Sequence, residues 1–453
     1  MSAETPSATV ERAIDRARRA GATAVDAVLI ESDSVEARVR AAEIDFVTQA
    51  RERVLGIRAL VASEHGARSA TTSTSDLSPE AVDKMAKETA ALARATAPDP
   101  TAGLPDETYA SEVFDLALFD SADRDVGVEM RIQDARAAEA AARDADPRIE
   151  NSEGSQVGSS FSHVAYGNSA GFFGEYDTAA HSLFSEPVAK NNGGLQRDYW
   201  YTVARRLSDL ESPSSVGRQA AERVLRRLGA KRIATCEAPV IFDPVTAPSL
   251  LGHLISCVNG YAVYRQTSYL AGKLGEAIAA SSMTVIDDGT RPGGLGSKPF
   301  DGEGLQTRRT VVVDRGRLSS YLLDSYSARK LEMQSTGNAT RGAGSPPSAG
   351  STNLWLEPGQ QSLDEIIAST QRGLLVTELI GMGFNPVTGD YSRGAAGLWI
   401  EGGEIVGPVE ELTIAGNLAE MLMEIDAIGS DLLWRGSTAS PSVRISKMMI
   451  AGE

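Results

Sequence analysis

The sequence predicts an α+β protein made of two unlike halves. Residues 1–230 alternate amphipathic helices with strands and are expected to form an N-terminal α/β domain with a mixed sheet and flanking helices. Residues 231–453 consist mainly of short apolar runs separated by Gly, Asn and Asp, which is typical of closely wound antiparallel strands and predicts a barrel-like domain. A chain of 453 residues is also too long for one ordinary core.

In the first half, local signals predict four helices with strands between them. Ser78-Pro79 followed by Glu80 combines a capping hydroxyl, a proline at the first helical position and an acid in the first turn, and Pro98 ends that helix. The other helices are predicted at residues 8–21, 128–145 and 216–228. Period-2 alternation predicts separate strands near residues 28–30, 35–39 and 57–61, and glycine-punctuated hairpins follow over 148–205.

The fourth predicted helix has a basic face on an otherwise acidic protein. Its arginines are Arg218, Arg223, Arg226 and Arg227. A solvated helix face is the favoured interpretation, and contact with an acidic neighbour is the alternative.

The second half centres on residues 384–417. Leu398–Ile400 form the core of a predicted strand, Gly402-Gly403 a two-residue turn, and Ile405 starts the return strand. Helices are predicted over 247–260 and 362–373. Residues 342–350, GAGSPPSAG, are expected to be a flexible loop without order of its own.

Composition excludes several classes of function. The formal charge of −17 argues against a nucleic-acid partner, because phosphate binding depends on clustered Lys and Arg. Cys236 and Cys257 form neither a disulfide framework nor a metal knuckle, which is typical of a reducing cytoplasm. The charged N-terminus lacks the apolar region of a signal peptide, and the chain lacks a run long enough to span a membrane.

Residues that could carry chemistry are better explained as parts of turns. Residues 167–171 match G-x-S-x-G, but strand-like segments lie on both sides of Ser169, where a nucleophile elbow needs a helix to follow. His163 and His181, which neighbour this segment, are therefore expected to be ordinary strand residues. A second set of carboxylates could suggest a magnesium site or a glycosidase pair but lies in turn sequences: Asp287, Asp288, Asp301 and Glu303.

Several phrases in the second half, in this order, resemble the TldD/PmbA family and within it the PmbA (TldE) branch. They are TSYLAGKLGE (267–276), IDDG (286–289), FDGEG (300–304), YLLDSYSARK (321–330), STGNATR (335–341), VTGDYSRGAAG (387–397) and TIAGNL (413–418). The resemblance covers nearly the whole chain and is densest after Cys236.

Because of this resemblance, the function depends on whether the chain has the zinc ligands of the TldD branch. Active members of the TldD branch carry H-E-x-x-x-H on a helix. Its two imidazoles bind zinc, and its carboxylate activates the water bound to that zinc. Aligned on the Thr-Ser pair that follows the motif, these positions fall here on Leu251, Gly252 and Ser256. None of the three side chains can bind zinc or act as a general base.

The same helix carries two other potential ligands. His253 and Cys257 lie four residues apart and share a helix face, so they could form a zinc pair. A catalytic zinc needs three protein ligands, and no third His or Cys lies nearby in sequence. We therefore expect no catalytic residue and no metal or other cofactor in this chain, with zinc held by a partner subunit.

The resemblance implies the metal-free partner subunit of a TldD–TldE-type zinc metalloprotease that degrades or processes unfolded peptides. Its partners would be a TldD-like subunit carrying H-E-x-x-x-H and an unfolded peptide, with no nucleic acid and no membrane. The residues expected at the peptide cleft or the subunit contact are Asn338, Arg341, Asp390, Ser392 and Arg393. Two alternatives remain: a stand-alone peptide or amide hydrolase, and a non-enzymatic homodimeric binding protein.

Overall fold

The computed structural model describes residues 5–112, 114–191 and 194–453. The helices in this part of the chain are α1 (Pro6–Arg19), α2 (Pro79–Ala95), α3 (Val128–Arg143), α4 (Pro213–Leu225), α5 (Pro248–Val258), α6 (Gly260–Tyr264), α7 (Ser325–Lys330), α8 (Leu363–Ala368) and α9 (Leu418–Met423). The strands of the first half are β1 (Ala24–Arg40), β2 (Glu43–Ser63), β3 (Gly66–Thr74), β4 (Ile149–Asn168), β5 (Phe173–Asn191), β6 (Gly194–Arg197) and β7 (Trp200–Ala204). Those of the second half are β8 (Cys236–Phe242), β9 (Val285–Asp288), β10 (Arg309–Asp314), β11 (Arg317–Leu318), β12 (Ala339–Thr340), β13 (Ser348–Ala349), β14 (Leu354–Leu356), β15 (Arg372–Ile380), β16 (Asp390–Glu401), β17 (Glu404–Asn417), β18 (Ile425–Ile428), β19 (Leu433–Trp434), β20 (Thr438–Ser440) and β21 (Val443–Ala451).

The helices of the first half begin where local capping chemistry predicts. In α2 the Ser78 hydroxyl accepts a hydrogen bond from Ala81 N at 3.4 Å, and Pro79 takes the first helical position. Helices α1 and α4 begin with the same combination of a capping hydroxyl and a proline. The four helices predicted in this half are confirmed, with boundaries that differ by no more than three residues.

The sheet of the first half has the order β3-β2-β1-β4-β5-β6, with β7 also paired to β5. All of its described pairings are antiparallel, whereas the sequence predicted a mixed sheet. The reason is that the long hairpins β1–β2 and β4–β5 are antiparallel by construction, and the connection that contains α2 and α3 returns the chain to β4 antiparallel to β1. Strand β1 also runs unbroken through residues 32–34, where we expected two strands, because these residues pair on both sides.

The two faces of this sheet are covered by different layers. One face, which includes Val25, Ala27 and Leu29, packs against the helices. The opposite face includes Val28 and packs with Tyr166 against the second half of the chain. The central part of the sheet is therefore buried on both sides, whereas residues 43–52 of β2 are mostly exposed.

A closed barrel organises the second half. Strands β17, β16, β15, β8 and β21 pair in turn, and β17 also pairs with β21, which completes the ring. Only the β8–β15 pair of this ring is parallel. The predicted fold class is confirmed, and the predicted turn at Gly402-Gly403 joins β16 to β17 with positive φ of 59° and 84°. A second sheet, β11-β10-β9-β14-β20-β19, packs with α5 against the barrel around a shared apolar core.

Two predictions in the second half were wrong. The helix predicted over 362–373 is only α8, Leu363–Ala368, because the chain turns and enters β15 at Arg372. Residues 342–350 have order of their own, because positions 343, 347 and 349 are buried while most of the others are exposed. Ala343 is 8% exposed beneath the first sheet, and β13 pairs with β12.

The arginines after and within α4 join the two halves. The Arg223 guanidinium donates to Asp198 at 3.2 Å and to the Thr377 carbonyl at 3.1 Å, and Arg227 lies 2.6 Å from Glu378. The favoured interpretation of a solvated basic face was therefore wrong for Arg223 and Arg227, which contact acids of the same chain. The predicted domain boundary between residues 230 and 231 stays a prediction.

A buried ion triad forms a second joint. Asp26 of β1 is 0% exposed and accepts hydrogen bonds from Arg58, its cross-strand neighbour on β2, at 2.8 Å. It also accepts one from Arg341, in the segment after β12. Burial by itself would raise the pKa of Asp26, but the charges of Arg341 and Arg58 outweigh that effect and lower the pKa. The carboxylate is thus held ionised between one guanidinium from each half.

No helix in the described ranges is both long and apolar enough to cross a bilayer.

We predict that Asp26→Asn destabilises the fold strongly, because it leaves two buried guanidinium groups without their counter-charge. The expected loss is about 3–5 kcal/mol of unfolding free energy, measured by urea denaturation. Asp33→Asn is the matched control: it breaks an ion pair with Arg51 on the same strands, but that pair is exposed and should contribute at most about 1 kcal/mol. Equal losses in the two variants would contradict the role assigned to the triad.

Candidate functional site

Helix α5 lies where the sister branch of the resembled family would hold its metal. Pro248 occupies the first turn, and the apolar side of the helix, which includes Leu251, is buried in the barrel core. Gly252 and Ser256 are exposed, and the Ser256 hydroxyl donates to the carbonyl of His253 at 2.7 Å. Of the three positions that correspond to H-E-x-x-x-H, one is therefore core and two face outward without a metal donor.

His253 and Cys257 lie beneath the segment that leads into β16. The His253 ring lies 4.5 Å from the Phe384 ring and 5.7 Å from the Tyr391 ring, measured between centroids. Burial, together with the charge of Arg393, lowers the pKa of His253 to about 4. Burial raises the pKa of the Cys257 thiol to about 11, although Ser256 and Ser268 oppose the shift.

These residues do not fit a zinc site. A thiol must lose its proton to bind zinc, and the surroundings of Cys257 favour the protonated form. In the part of the chain that the structure describes, no group of three or more His, Cys, Asp or Glu side chains is arranged to hold a metal ion. Two donors, one of them protonated, fall short of the three ligands of a catalytic zinc.

Three of the five predicted cleft or contact residues lie together at the start of β16. Asp390 and Ser392 are exposed and Arg393 is half-buried. The Asp390 carboxylate accepts a hydrogen bond from the Thr388 hydroxyl at 2.7 Å, and Ser392 N donates to the Gly383 carbonyl at 2.8 Å. This arrangement leaves the Ser392 hydroxyl at the surface, next to the loop that covers His253.

The other two predicted residues lie inside the molecule. Asn338 is 2% exposed, and its amide donates to Asp287 at 2.7 Å. Arg341 donates to Asp26, and its side chain is 2% exposed. The structure therefore places two of the five candidates, Asn338 and Arg341, in the interior and the other three at the start of β16.

Of the four carboxylates expected in turns, Asp288 and Asp301 bond the following backbone as the sequence predicted. The prediction was wrong for Asp287, which lies in β9 and accepts from Thr352 N at 2.7 Å. Asp288 accepts from Thr290 N at 2.8 Å, and Asp301 accepts from Glu303 N at 2.9 Å, each two residues ahead. Glu303 is 1% exposed and accepts from Ser325 N at 2.8 Å. Burial and the neighbouring charge of Asp301 raise the pKa of Glu303 to about 7.

The segment with Ser169 is a turn between β4 and β5, which confirms the prediction. Its hydroxyl accepts a hydrogen bond from Val25 N at 2.9 Å, so it extends the pairing of β1 with β4 at the end of these strands. His163 lies on β4, with Nδ1 3.0 Å from Asp177. His181 on β5 is fully buried, with Nδ1 2.8 Å from the Ser159 hydroxyl and Nε2 3.2 Å from Asp123.

Sequence reasoning missed the polar residues that matter most to the joint. Asp26 had a signal, since it is a lone acid within the apolar run AVDAVLI, where an unpaired charge would be costly. Its partner Arg341, 315 positions away, was instead expected at the peptide cleft or the subunit contact. Asp198, which meets Arg223 between the halves, also lies in an unremarkable stretch.

Comparisons with known proteins agree with this architecture. Models described as PmbA/TldA metallopeptidase domain 1, central domain and C-terminal domain match residues 25–93, 122–228 and 235–452. The three matches together cover most of the chain, so its fold is that of this metallopeptidase class.

The relatives narrow the class to one family. "Metalloprotease PmbA" of Escherichia coli O157:H7 is 39% identical, over 93% of this chain and 91% of the relative. "Metalloprotease PmbA homolog" of Haemophilus influenzae is 36% identical, over 98% and 95%. The chain therefore belongs to the PmbA/TldD family, on its PmbA branch. In fold it is also similar to the solved TldE of Thermococcus kodakarensis, with a TM-score of 0.86 at 23% identity, over 98% of this chain and 100% of that one.

We predict that the two thiols differ sharply in reactivity. Cys257 is 0% exposed with a raised pKa, whereas Cys236 is half-buried at the start of β8. In the folded protein, a thiol-specific disulfide reagent should modify Cys236 first and Cys257 only after unfolding, as followed by absorbance. Cys236→Ser should remove the early phase and Cys257→Ser the late one. Two equal phases in the native state would be inconsistent with the placement of Cys257.

We also predict that Glu303 makes the fold less stable as the pH rises. Between the ordinary pKa of 4.5 and the folded-state pKa of about 7, the folded chain keeps a proton that the unfolded chain has lost. The unfolding free energy should therefore fall across this interval, by on the order of 3 kcal/mol, and change little from this source above it.

Glu303→Gln mimics the protonated form and keeps the acceptor for Ser325 N. It should make the fall of stability smaller, most clearly between pH 6 and 7, because the buried Asp287, whose pKa is raised to about 6, still contributes below that range. The measurement is urea denaturation at several pH values. Glu404→Gln, at the exposed start of β17, is the control and should leave the profile unchanged. A Glu303→Gln profile that follows that of the parent would rule out Glu303 as the source.

Proposed function

We propose that this chain is the metal-free partner subunit of a TldD–TldE-type heterodimeric zinc metalloprotease that degrades or processes unfolded peptides. In this proposal the TldD-like subunit carries H-E-x-x-x-H and the zinc, while this chain helps to form the peptide path. The protein would act in the cytoplasm, and its two unpaired cysteines are in keeping with a reducing compartment.

The composition of α5 is the observation that carries the proposal. Family membership leads us to look for a metal on this helix, and its relatives are named metalloproteases. The aligned positions are Leu251, Gly252 and Ser256, and the nearby Cys257 thiol is kept protonated by burial. A chain with the fold of this metallopeptidase family but without zinc ligands at these positions is well explained if a second chain supplies the metal.

We assign the contact with the partner or the peptide to the surface at the start of β16, formed by Asp390, Ser392 and Arg393. Its polar groups lie beside an exposed apolar segment, in which Ile380 and Met382 are 57% and 89% exposed. Large exposed apolar side chains next to polar ones are typical of protein-binding surfaces. Asn338 and Arg341 would serve the complex from the interior, by holding the two halves of this chain together.

A second candidate function is a stand-alone hydrolase. One observation favours it: relatives that match over nearly their whole length are themselves named metalloproteases. Such an enzyme would have to bind its metal through residues other than an H-E-x-x-x-H helix.

The test is to purify this chain alone and together with a TldD-like chain, and to measure zinc content and cleavage of an unstructured polypeptide. We expect substoichiometric zinc and no cleavage from the chain alone. The complex should contain about one zinc ion per pair of chains and should be active. Replacing the glutamate of the partner's H-E-x-x-x-H by glutamine should abolish cleavage.

Variants of this chain separate the two candidates. His253→Ala combined with Cys257→Ser should leave the zinc content of the complex unchanged, as should the surface control His65→Ala. Stoichiometric zinc and proteolysis by the isolated chain would refute the partner-subunit proposal in favour of the stand-alone hydrolase.

A further inference from the structure

A cavity of about 390 Å³ lies where the first sheet, α4 and the barrel meet. The first half contributes Asp198 and Tyr199, which follow β6, and Arg227, which follows α4. The second half contributes residues 377–379 of β15 and Arg393 of β16. Its size falls at the lower end of the roughly 300–1,000 Å³ that small-molecule sites occupy.

One wall of the cavity has a buried carboxylate oxygen without a hydrogen-bond donor. The Asp198 side chain is 4% exposed, and its Oδ1 accepts from Arg223 Nε at 3.2 Å and from Tyr199 N at 2.8 Å. Its Oδ2 has no hydrogen-bond partner among the described residues, and Arg227 Nη1 is 3.9 Å away, beyond hydrogen-bond distance. Buried oxygens of this kind are rare and mark strain or a missing ligand.

The wall from the second half has a buried cationic donor in the same situation. Arg393 Nε has no acceptor within the part of the chain that the structure describes. Two other pairs of charges on the walls are matched with each other: Arg227 lies 2.6 Å from Glu378, and Arg197 lies 3.9 Å from Glu186. The cavity therefore has one unsatisfied acceptor and one unsatisfied donor, each charged.

We propose that this cavity binds a short zwitterionic peptide, a di- or tripeptide, whose terminal ammonium donates to Asp198 Oδ2 and whose carboxylate accepts from Arg393. Charge-assisted hydrogen bonds of both kinds are strong, and the two unsatisfied atoms are complementary to them. The Tyr199 ring and the Leu379 side chain give the peptide's side chains an apolar surface. The site goes beyond the proposed function, because it requires neither zinc nor a partner subunit, although it shares Arg393 with the surface that we assign to the partner or the peptide.

Ligands with a single charge fit the cavity less well. An inorganic anion would satisfy Arg393 but leave the Asp198 oxygen unpaired, and a lone cation would do the reverse. A molecule with both charges satisfies both walls. The middle of a long chain, which lacks charged termini, would satisfy neither.

The experiment is isothermal titration calorimetry of the full chain with alanyl-alanine, N-acetyl-alanyl-alanine and alanyl-alanine amide. These probes have both terminal charges, only the carboxylate, and only the ammonium. We expect alanyl-alanine to bind, and each capped form to bind at least about tenfold more weakly. Equal affinity for the three probes, or no binding of alanyl-alanine at millimolar concentration, would overturn the proposal.

Two variants test the walls separately. Arg393→Gln should weaken the binding of alanyl-alanine by at least about tenfold, so that its affinity equals that of the amide. Arg372 is exposed on the neighbouring strand β15, and the control Arg372→Gln should bind alanyl-alanine with the parental affinity. Asp198→Asn should remove the preference for the free ammonium. Because Asp198 also pairs with Arg223, this variant is first checked for folding, and Arg393→Gln decides the matter if it fails to fold.

An Arg393→Gln protein that keeps the parental preference for alanyl-alanine over its amide would refute the assignment. This outcome is distinct from failure of the proposed function, because it is measured on the isolated chain without any protease activity.

Discussion

The ion triad of Asp26, Arg58 and Arg341 is the constraint on which the arrangement of the two halves depends. A carboxylate buried this deeply is tolerated only when its partners hold it in good hydrogen-bonding geometry. Arg58 is fixed by strand pairing, but Arg341 must be delivered by a loop of the second half. Because Arg341 must reach Asp26, the residues that follow it are drawn toward the sheet, and Ala343 packs beneath it.

The triad also changes the meaning of the STGNATR phrase, residues 335–341. The resemblance led us to expect two of its residues, Asn338 and Arg341, at the peptide cleft or the subunit contact. In the structure, Asn338 holds Asp287 and Arg341 holds Asp26, so the phrase supports the joint between the halves. The same applies to α5, where Leu251 belongs to the barrel core. A helix with that packing role stays in place whether or not it holds a metal.

Local chemistry made much of this fold predictable. The cap at Ser78, the proline at position 79 and the glycine turn at 402–403 are determined by neighbouring residues, and each was correct. Errors occurred where distant pairing decides the outcome. Residues 32–34 look like a turn, but partners on both sides keep them extended.

Site residues divide in the same way. The residues at the three H-E-x-x-x-H positions of α5 could be read directly from the sequence, as could the turn roles of Asp288 and Asp301. The cavity between the halves could not, because Asp198 and Arg393 come together only when a sheet and a barrel dock. The basic pattern around α4 was visible in advance, but the acids that Arg223 and Arg227 contact lie outside that helix.

Closure of the barrel by β17 and β21 has a consequence for the order of events at the ribosome. Strand β8, near the start of the second half, pairs with β21, whose residues 443–451 are synthesised some two hundred positions later. All strands of the first sheet lie within residues 24–204, so the first half of the nascent chain can fold while the barrel of the second half still lacks its last strand. Until translation supplies β21, the strands of the unfinished barrel expose edges that are open to pairing with other chains, and a second subunit can dock against the closed barrel only after β21 has been made.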